Sequence, residues 1–204
     1  MPSDRNVILK RVRDALAPLP ERAPLPDWER ELVIMSSARE QADLWTLFSQ
    51  RLRAVNGTPL ERTEDLVALL RDKQWLHGYC DAALWPSLAP AFTPEFVVET
   101  TFDRSRVDDY QFGITLATGA IAETGTLILD DASTSSRLAA LTPWVHVAVL
   151  RRPTIYHDLP RAVAVLGTDP NVIWVTGPSK TADVEGILIE GVHGPGVQVA
   201  LLAH

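Results

Sequence analysis

The stretch GITLATGAIAETGTLILDD, residues 113–131, opens the half of the chain in which continuous apolar runs replace amphipathic ones. Two runs, GITLATGAI and GTLILDD, flank a polar break at Glu123 and Thr124. Each is aliphatic and short, so each predicts a buried strand. Three more follow: WVHVAVL at 144–150, NVIWVTG at 171–177 and GVQVALLA at 196–203, with a helical stretch at 156–166 between the first two of these. Near-continuous apolar strands separated by helices predict a sheet covered on both faces and mostly parallel. The fold class is therefore a three-layer α/β domain, spanning residues 27–204.

Upstream of this region the periodicity is helical. Residues 4–17 predict a short amphipathic helix with Ile8, Val12, Ala15 and Leu16 on one side. Four prolines within 18–26 then predict an extended linker, because proline fixes φ and biases its predecessor away from the helical region. Residues 1–26 thus form an N-terminal helical arm. From Asp27 to the stop at Asn56-Gly57, the recurrence of Ile34, Ala38, Ala42, Trp45, Phe48, Leu52 and Val55 predicts one long helix. Thr63 is suited to cap a second helix burying Leu66, Leu69 and Leu70, and residues 74–79 predict a short strand.

Composition excludes several classes of function. With 19 basic and 26 acidic side chains the net charge is −7, and no basic stripe is present to neutralise a row of phosphates, so nucleic acid is not an expected partner. No apolar run approaches the roughly 18 residues of a membrane span. The charged first twenty residues also lack the apolar centre of a signal peptide, so a cytoplasmic location is expected. Cys80 is the single cysteine, which excludes an internal disulfide and a four-thiolate cluster held by this chain. His77 and Cys80 lack a second ligand pair at metal spacing, and no metal site is expected.

The chemistry-bearing residues concentrate in TGPSKTADVEGILIEGVHGP, residues 176–195. A phosphate-cradling P-loop ending at Lys180 needs glycine where Ser179 and Trp174 stand, so that reading fails. A looser anion site remains, with Gly177, Ser179 and Thr181 at the start of a helix and Lys180 adding charge; the alternative is that Ser179 or Thr181 only caps that helix. Gly194-Pro195-Gly196 suits a type II turn with positive φ at Gly196. His193 beside it is either a turn residue or a group aimed into a cleft. Glu123 is the one charged group between two apolar runs. It is either a turn residue or a general acid/base or carboxylate nucleophile near Lys180 or His193.

Taken together, residues 113–129 and 176–195 resemble the two signature blocks of the LUD-domain family. The resemblance implies a fold akin to the CoA transferases, ribose-5-phosphate isomerase and glucosamine-phosphate isomerase. It also implies a part in oxidising L-lactate to pyruvate beside two iron–sulfur partner proteins. With one cysteine, this chain resembles the short, cluster-free member, accessory or substrate-binding. It is then expected to hold no cofactor itself and to bind a small anionic metabolite. The alternative is a stand-alone transferase or isomerase for a phosphorylated or acyl-CoA metabolite. In either case the site expected is Glu123 and His193 as catalytic residues, with Gly177, Ser179, Lys180 and Thr181 binding the ligand. The transferases' glutamate role does not carry over to Glu123, whose neighbours match the LUD block.

Overall fold

The computed structural model describes residues 4–18, 43–131, 136–166, 171–182 and 187–203. The chain divides into two compact units, Met1–Arg39 and Glu40–His204. In the first, helix α1 (Asp4–Leu16) has no buried residue, and its apolar side chains Ile8 and Val12 are exposed. The proline-rich segment, except for Pro18, lies outside the described residues.

The second unit is built on a six-stranded sheet in which every pairing is parallel. Its strands are β1 (Thr58–Leu60), β2 (His77–Cys80), β3 (Val97–Glu99), β4 (Phe112–Leu116), β7 (Val145–Arg151) and β12 (Val197–Ala203), in the order β1-β12-β7-β4-β2-β3. A four-stranded sheet has the order β8-β5-β6-β9, from β5 (Gly119–Ile121), β6 (Thr126–Asp130), β8 (Ile155–Tyr156) and β9 (Val172–Val175). Strands β10 (Lys180–Ala182) and β11 (Leu188–Glu190) pair antiparallel by themselves.

Strand alternation decides which side chains enter which layer. Val145, Val147 and Val149 of β7 and Val199 and Leu201 of β12 face helices α3 (Thr63–Asp72) and α4 (Trp85–Leu88), meeting Leu66, Leu70 and Leu88. Ala148, Leu150, Ala200 and Leu202 face the other way, where helix α2 (Leu44–Ala54) and the four-stranded sheet supply Phe48, Leu52, Leu127 and Leu129. Beyond that sheet, Ala162 of α6 (Leu159–Val165) packs on Ile121 and Ile128. The fold is thus mixed α/β with a parallel central sheet covered on both faces. Among the described residues, no helix is long and apolar enough to cross a membrane.

Three expectations are corrected here. GITLATGAI is not one strand: Ala117 N–H donates to Val149 of β7, whereas Thr118 N–H donates to Ile128 of β6, so consecutive amides serve different sheets. The helix expected from Asp27 is described only from Leu44. It does not continue smoothly through Asp43, whose non-helical backbone and carboxylate, accepting from the Thr46 N–H at 2.9 Å, form an N-cap worth ~1 kcal/mol. Its far end agrees with the sequence, since Asn56 takes φ +67°. Thr63 does not cap α3; it is the first helical residue, and Arg62 occupies the cap position without a capping bond from its side chain.

Candidate functional site

The residues before β12 are arranged around one indole. A Cβ on Gly191 or on Gly196 would come within 2.4 Å of the Trp144 ring, so both must be glycine for the loop to lie against it. Gly191 also takes φ +81°. Gly196 does not adopt positive φ, so the type II turn expected at Gly194-Pro195-Gly196 is replaced by this tertiary contact. Pro195 and Gly191 are held to Ser179, whose N–H donates to the Pro195 carbonyl and whose carbonyl accepts from the Gly191 N–H, both at 2.9 Å.

Two cavities meet at this loop, sharing Leu141, His193 and Gly194. The larger, about 590 Å³, lies among residues that precede β2, β4, β7 and β12, including Trp75, Asp108, Tyr110, Gln111 and Trp144. It therefore opens at the N-terminal edge of the parallel sheet, opposite the carboxyl edge where ligands of open α/β sheets usually sit. The smaller, about 270 Å³, is lined by Gly177, Pro178, Ser179, His193, Pro195 and Gln198, with Ala140 and Leu141 of α5 (Arg137–Leu141) and Ile173 to Thr176. A third, about 460 Å³, touches the same helix with Arg104, Ser136 and Arg137.

Behind the smaller cavity runs a buried polar chain. His146 Nδ1 and Gln198 Oε1 are 2.9 Å apart, and Thr115 Oγ1 lies 2.9 Å from His146 Nε2. The Gln198 amide donates to the carbonyls of His146 and Val199, so its oxygen faces the ring. That orientation makes Nδ1 the protonated nitrogen and Nε2 the acceptor from Thr115. Burial pushes the His146 pKa down to about 4. The signal for this chain in the sequence is a polar side chain inside each of three apolar runs: Thr115, His146 and Gln198.

The structure places Gly177, Ser179 and His193 along one cavity. Lys180 is not among its lining residues. Its Nζ donates to the Val55 carbonyl at 3.3 Å and pairs with Glu190 at 3.4 Å, while Asn56 holds the same carboxylate at 2.8 Å. These contacts, Asn56 first, keep the Glu190 carboxyl below its usual range. The helix expected to begin near Lys180 is not found there: Lys180, Thr181 and Ala182 form β10, so no helix end points its amides at this position. Glu123 sits in the turn between β5 and β6, where its N–H donates to the His157 carbonyl at 3.0 Å. Neither cavity lined by His193 includes Glu123.

A second polar cluster borders the larger cavity. Glu99 is held by His77 Nε2 at 2.8 Å, by the Tyr110 hydroxyl at 3.0 Å and by Arg106 at 3.1 Å. The His77 bond, foremost among these, keeps the Glu99 carboxyl below its ordinary range. Cys80 is fully buried, and burial pushes its thiol up to about 12. Among the described residues, no group of three or more His, Cys, Asp or Glu side chains is disposed to hold a metal ion.

Comparison with known proteins agrees with this architecture. The family model described as LUD domain matches residues 73–202. Lactate utilization protein C of Bacillus licheniformis is 34% identical over 98 residues, covering 44% of this chain and 41% of that protein. The protein of the same name from Geobacillus kaustophilus is 27% identical over 172 residues, covering 76% and 66%. The chain thus matches less than two thirds of these relatives' own lengths. A crystal structure of a DUF162 family protein from Deinococcus radiodurans superposes with a TM-score of 0.57, at 23% identity, over 78% of this chain and 96% of that one. The match of the family model across most of the six-stranded sheet and all of the loop around Trp144 shows that this chain belongs to the LUD-domain family.

Proposed function

We propose that the protein is the cluster-free, small-acid-binding component of an L-lactate utilisation system, acting in the cytoplasm beside iron–sulfur proteins that carry the electrons. The observation that carries this reading is the 270 Å³ cavity, in which Gly177, Ser179 and His193 of the second family block converge. It is smaller than a drug-sized pocket and suits a compact metabolite. The Ser179 hydroxyl and the His193 imidazole are the groups that would receive a carboxylate. Lys180, committed to Glu190 and Val55, supports the loop from outside. The names of the relatives from Bacillus licheniformis and Geobacillus kaustophilus supply the metabolic context. The one cysteine is buried with its thiol pushed up to about 12, which supports the cluster-free reading.

A stand-alone transferase or isomerase draws no support from the geometry, because Glu123 lines neither cavity that His193 lines. The test is genetic and biochemical together. Deleting the gene in an organism with no other lactate oxidase is expected to abolish growth on L-lactate. The wild-type gene should restore growth, and one encoding both Ser179→Ala and His193→Ala should not. Affinity capture from lactate-grown cells should recover iron–sulfur proteins. Normal growth of the deletion strain overturns the reading.

A further inference from the structure

The larger cavity has walls that its smaller neighbour lacks. Trp75, Tyr110 and Trp144 line it. One part of the Trp144 indole rests on Gly191 and Gly196, and the residue is still 46% exposed. Tyr110 is fixed by its hydroxyl, which donates to Glu99 and accepts from the Asp103 N–H, and by stacking on Phe102 at 5.1 Å. Gln111 is fixed as well, because its side-chain oxygen accepts from both the Leu76 and His77 N–H groups. The Tyr110 and Gln111 walls are therefore preorganised, which lowers the ordering cost of binding.

The charge of the lining is one-sided. Among the described residues it contains the Asp108 carboxylate and neither lysine nor arginine. Asp108 is solvent-exposed and has no hydrogen-bond or ion-pair partner among the described residues. Indole faces carry negative quadrupole potential and attract cations, and an unpaired carboxylate adds to that field. A volume of about 590 Å³ lies within the range of small-molecule sites.

We propose that this cavity binds a planar heteroaromatic cation of the pyridinium type, stacked on the indole of Trp144 with Asp108 as its counter-ion. Trp75 and Tyr110 close the sides, and His193 forms the wall shared with the smaller cavity. The site stands whether or not the chain serves lactate metabolism, since Trp144 and Asp108 line only this cavity.

The probe is 1-methylnicotinamide, a pyridinium, against nicotinamide, its uncharged near-isostere, titrated into the full chain by calorimetry and tryptophan fluorescence. The cation should bind saturably, quench fluorescence, and bind about 10-fold more tightly than the neutral ring. Asp108→Asn, at an exposed position, should bring the two affinities to within about threefold, and Trp144→Leu should weaken the cation about 10-fold. Circular dichroism checks that each variant is folded, and if Trp144→Leu is not, Asp108→Asn alone decides. Absence of saturable binding at millimolar cation, equal affinity for both rings, or an unchanged ratio in Asp108→Asn overturns the proposal.

Discussion

His146 and His157 are both withdrawn from solvent, at 0% and 6% exposure, yet their surroundings differ in kind. Both ring nitrogens of His146 are paired, to Thr115 and Gln198, with no charged group among those partners. His157 lies at the entrance to α6 beside a buried carboxylate. Its Nδ1 is 3.3 Å from Asp158, which Arg161 also binds. Its Nε2 has no hydrogen-bond partner among the described residues. Burial alone would raise the Asp158 carboxyl, but the Arg161 N–H, His157 and the Arg161 charge outweigh it and leave it below the usual range. A satisfied neutral ring ties three strands together. A half-satisfied ring beside a charge contributes little, because its unpaired nitrogen offsets the long contacts of Nδ1 with Asp158 and Arg161, at 3.3 and 3.4 Å.

The largest effect separating the two should come from His146→Leu. It leaves the Gln198 oxygen and the Thr115 hydroxyl unpaired in the core, so unfolding by urea should show a loss of about 3–5 kcal/mol. Adding Thr115→Val and Gln198→Leu should recover most of that loss, since an apolar trio leaves nothing unpaired. A loss below about 1 kcal/mol in the single variant would break the comparison.

The next effect is pH-dependent. The folded-state pKa of His146 is depressed from 6.5 to about 4. Above pH 6.5 neither state carries the proton and the contribution to stability is complete. As pH falls from 6.5 toward 4 only the unfolded chain takes the proton, so stability should drop by up to ~3 kcal/mol. Below about pH 4 both states are protonated and this slope ends. Urea midpoints across this window should show the slope in the wild type and its near absence in the apolar trio. Equal slopes would assign it to other groups.

The smallest effect is expected at His157. His157→Phe removes the Nδ1 contacts with Asp158 and Arg161 together with the unpaired Nε2, and the backbone carbonyl that receives Glu123 is retained. Stability should change by no more than about 1 kcal/mol. A cost above about 3 kcal/mol would show that Nε2 is hydrogen-bonded in solution and that the two histidines are alike.

Much of this architecture was legible because strand periodicity is local. The runs at 144–150, 171–177 and 196–203 became β7, β9 and β12, and Asn56-Gly57 ended α2. The errors arose where distant contacts outweighed local signals. Apolar character continues unbroken through Ala117 and Thr118, so the change of sheet leaves no mark in GITLATGAI. Around Lys180, Ser179, Thr181, Asp183 and Glu185 resemble helix-start chemistry, but pairing with residues 188–190 makes Lys180–Ala182 a strand. Gly196 was explained by a turn when an indole 52 positions earlier required it. At the candidate site, Gly177, Ser179 and His193 line one cavity, whereas Lys180 is committed to Val55 and Glu190 and Glu123 to a separate turn. The partners of His146 lie 31 and 52 residues away, beyond any local pattern.

The divergence of two successive amides at Ala117 and Thr118 has a mechanical consequence. Two successive peptide units act as a rivet between the two sheets, because neither can draw away without tearing a backbone bond at this point. Amide exchange at these two positions should therefore proceed at one shared rate, set by global opening, and the unit Glu40–His204 should melt in a single cooperative step.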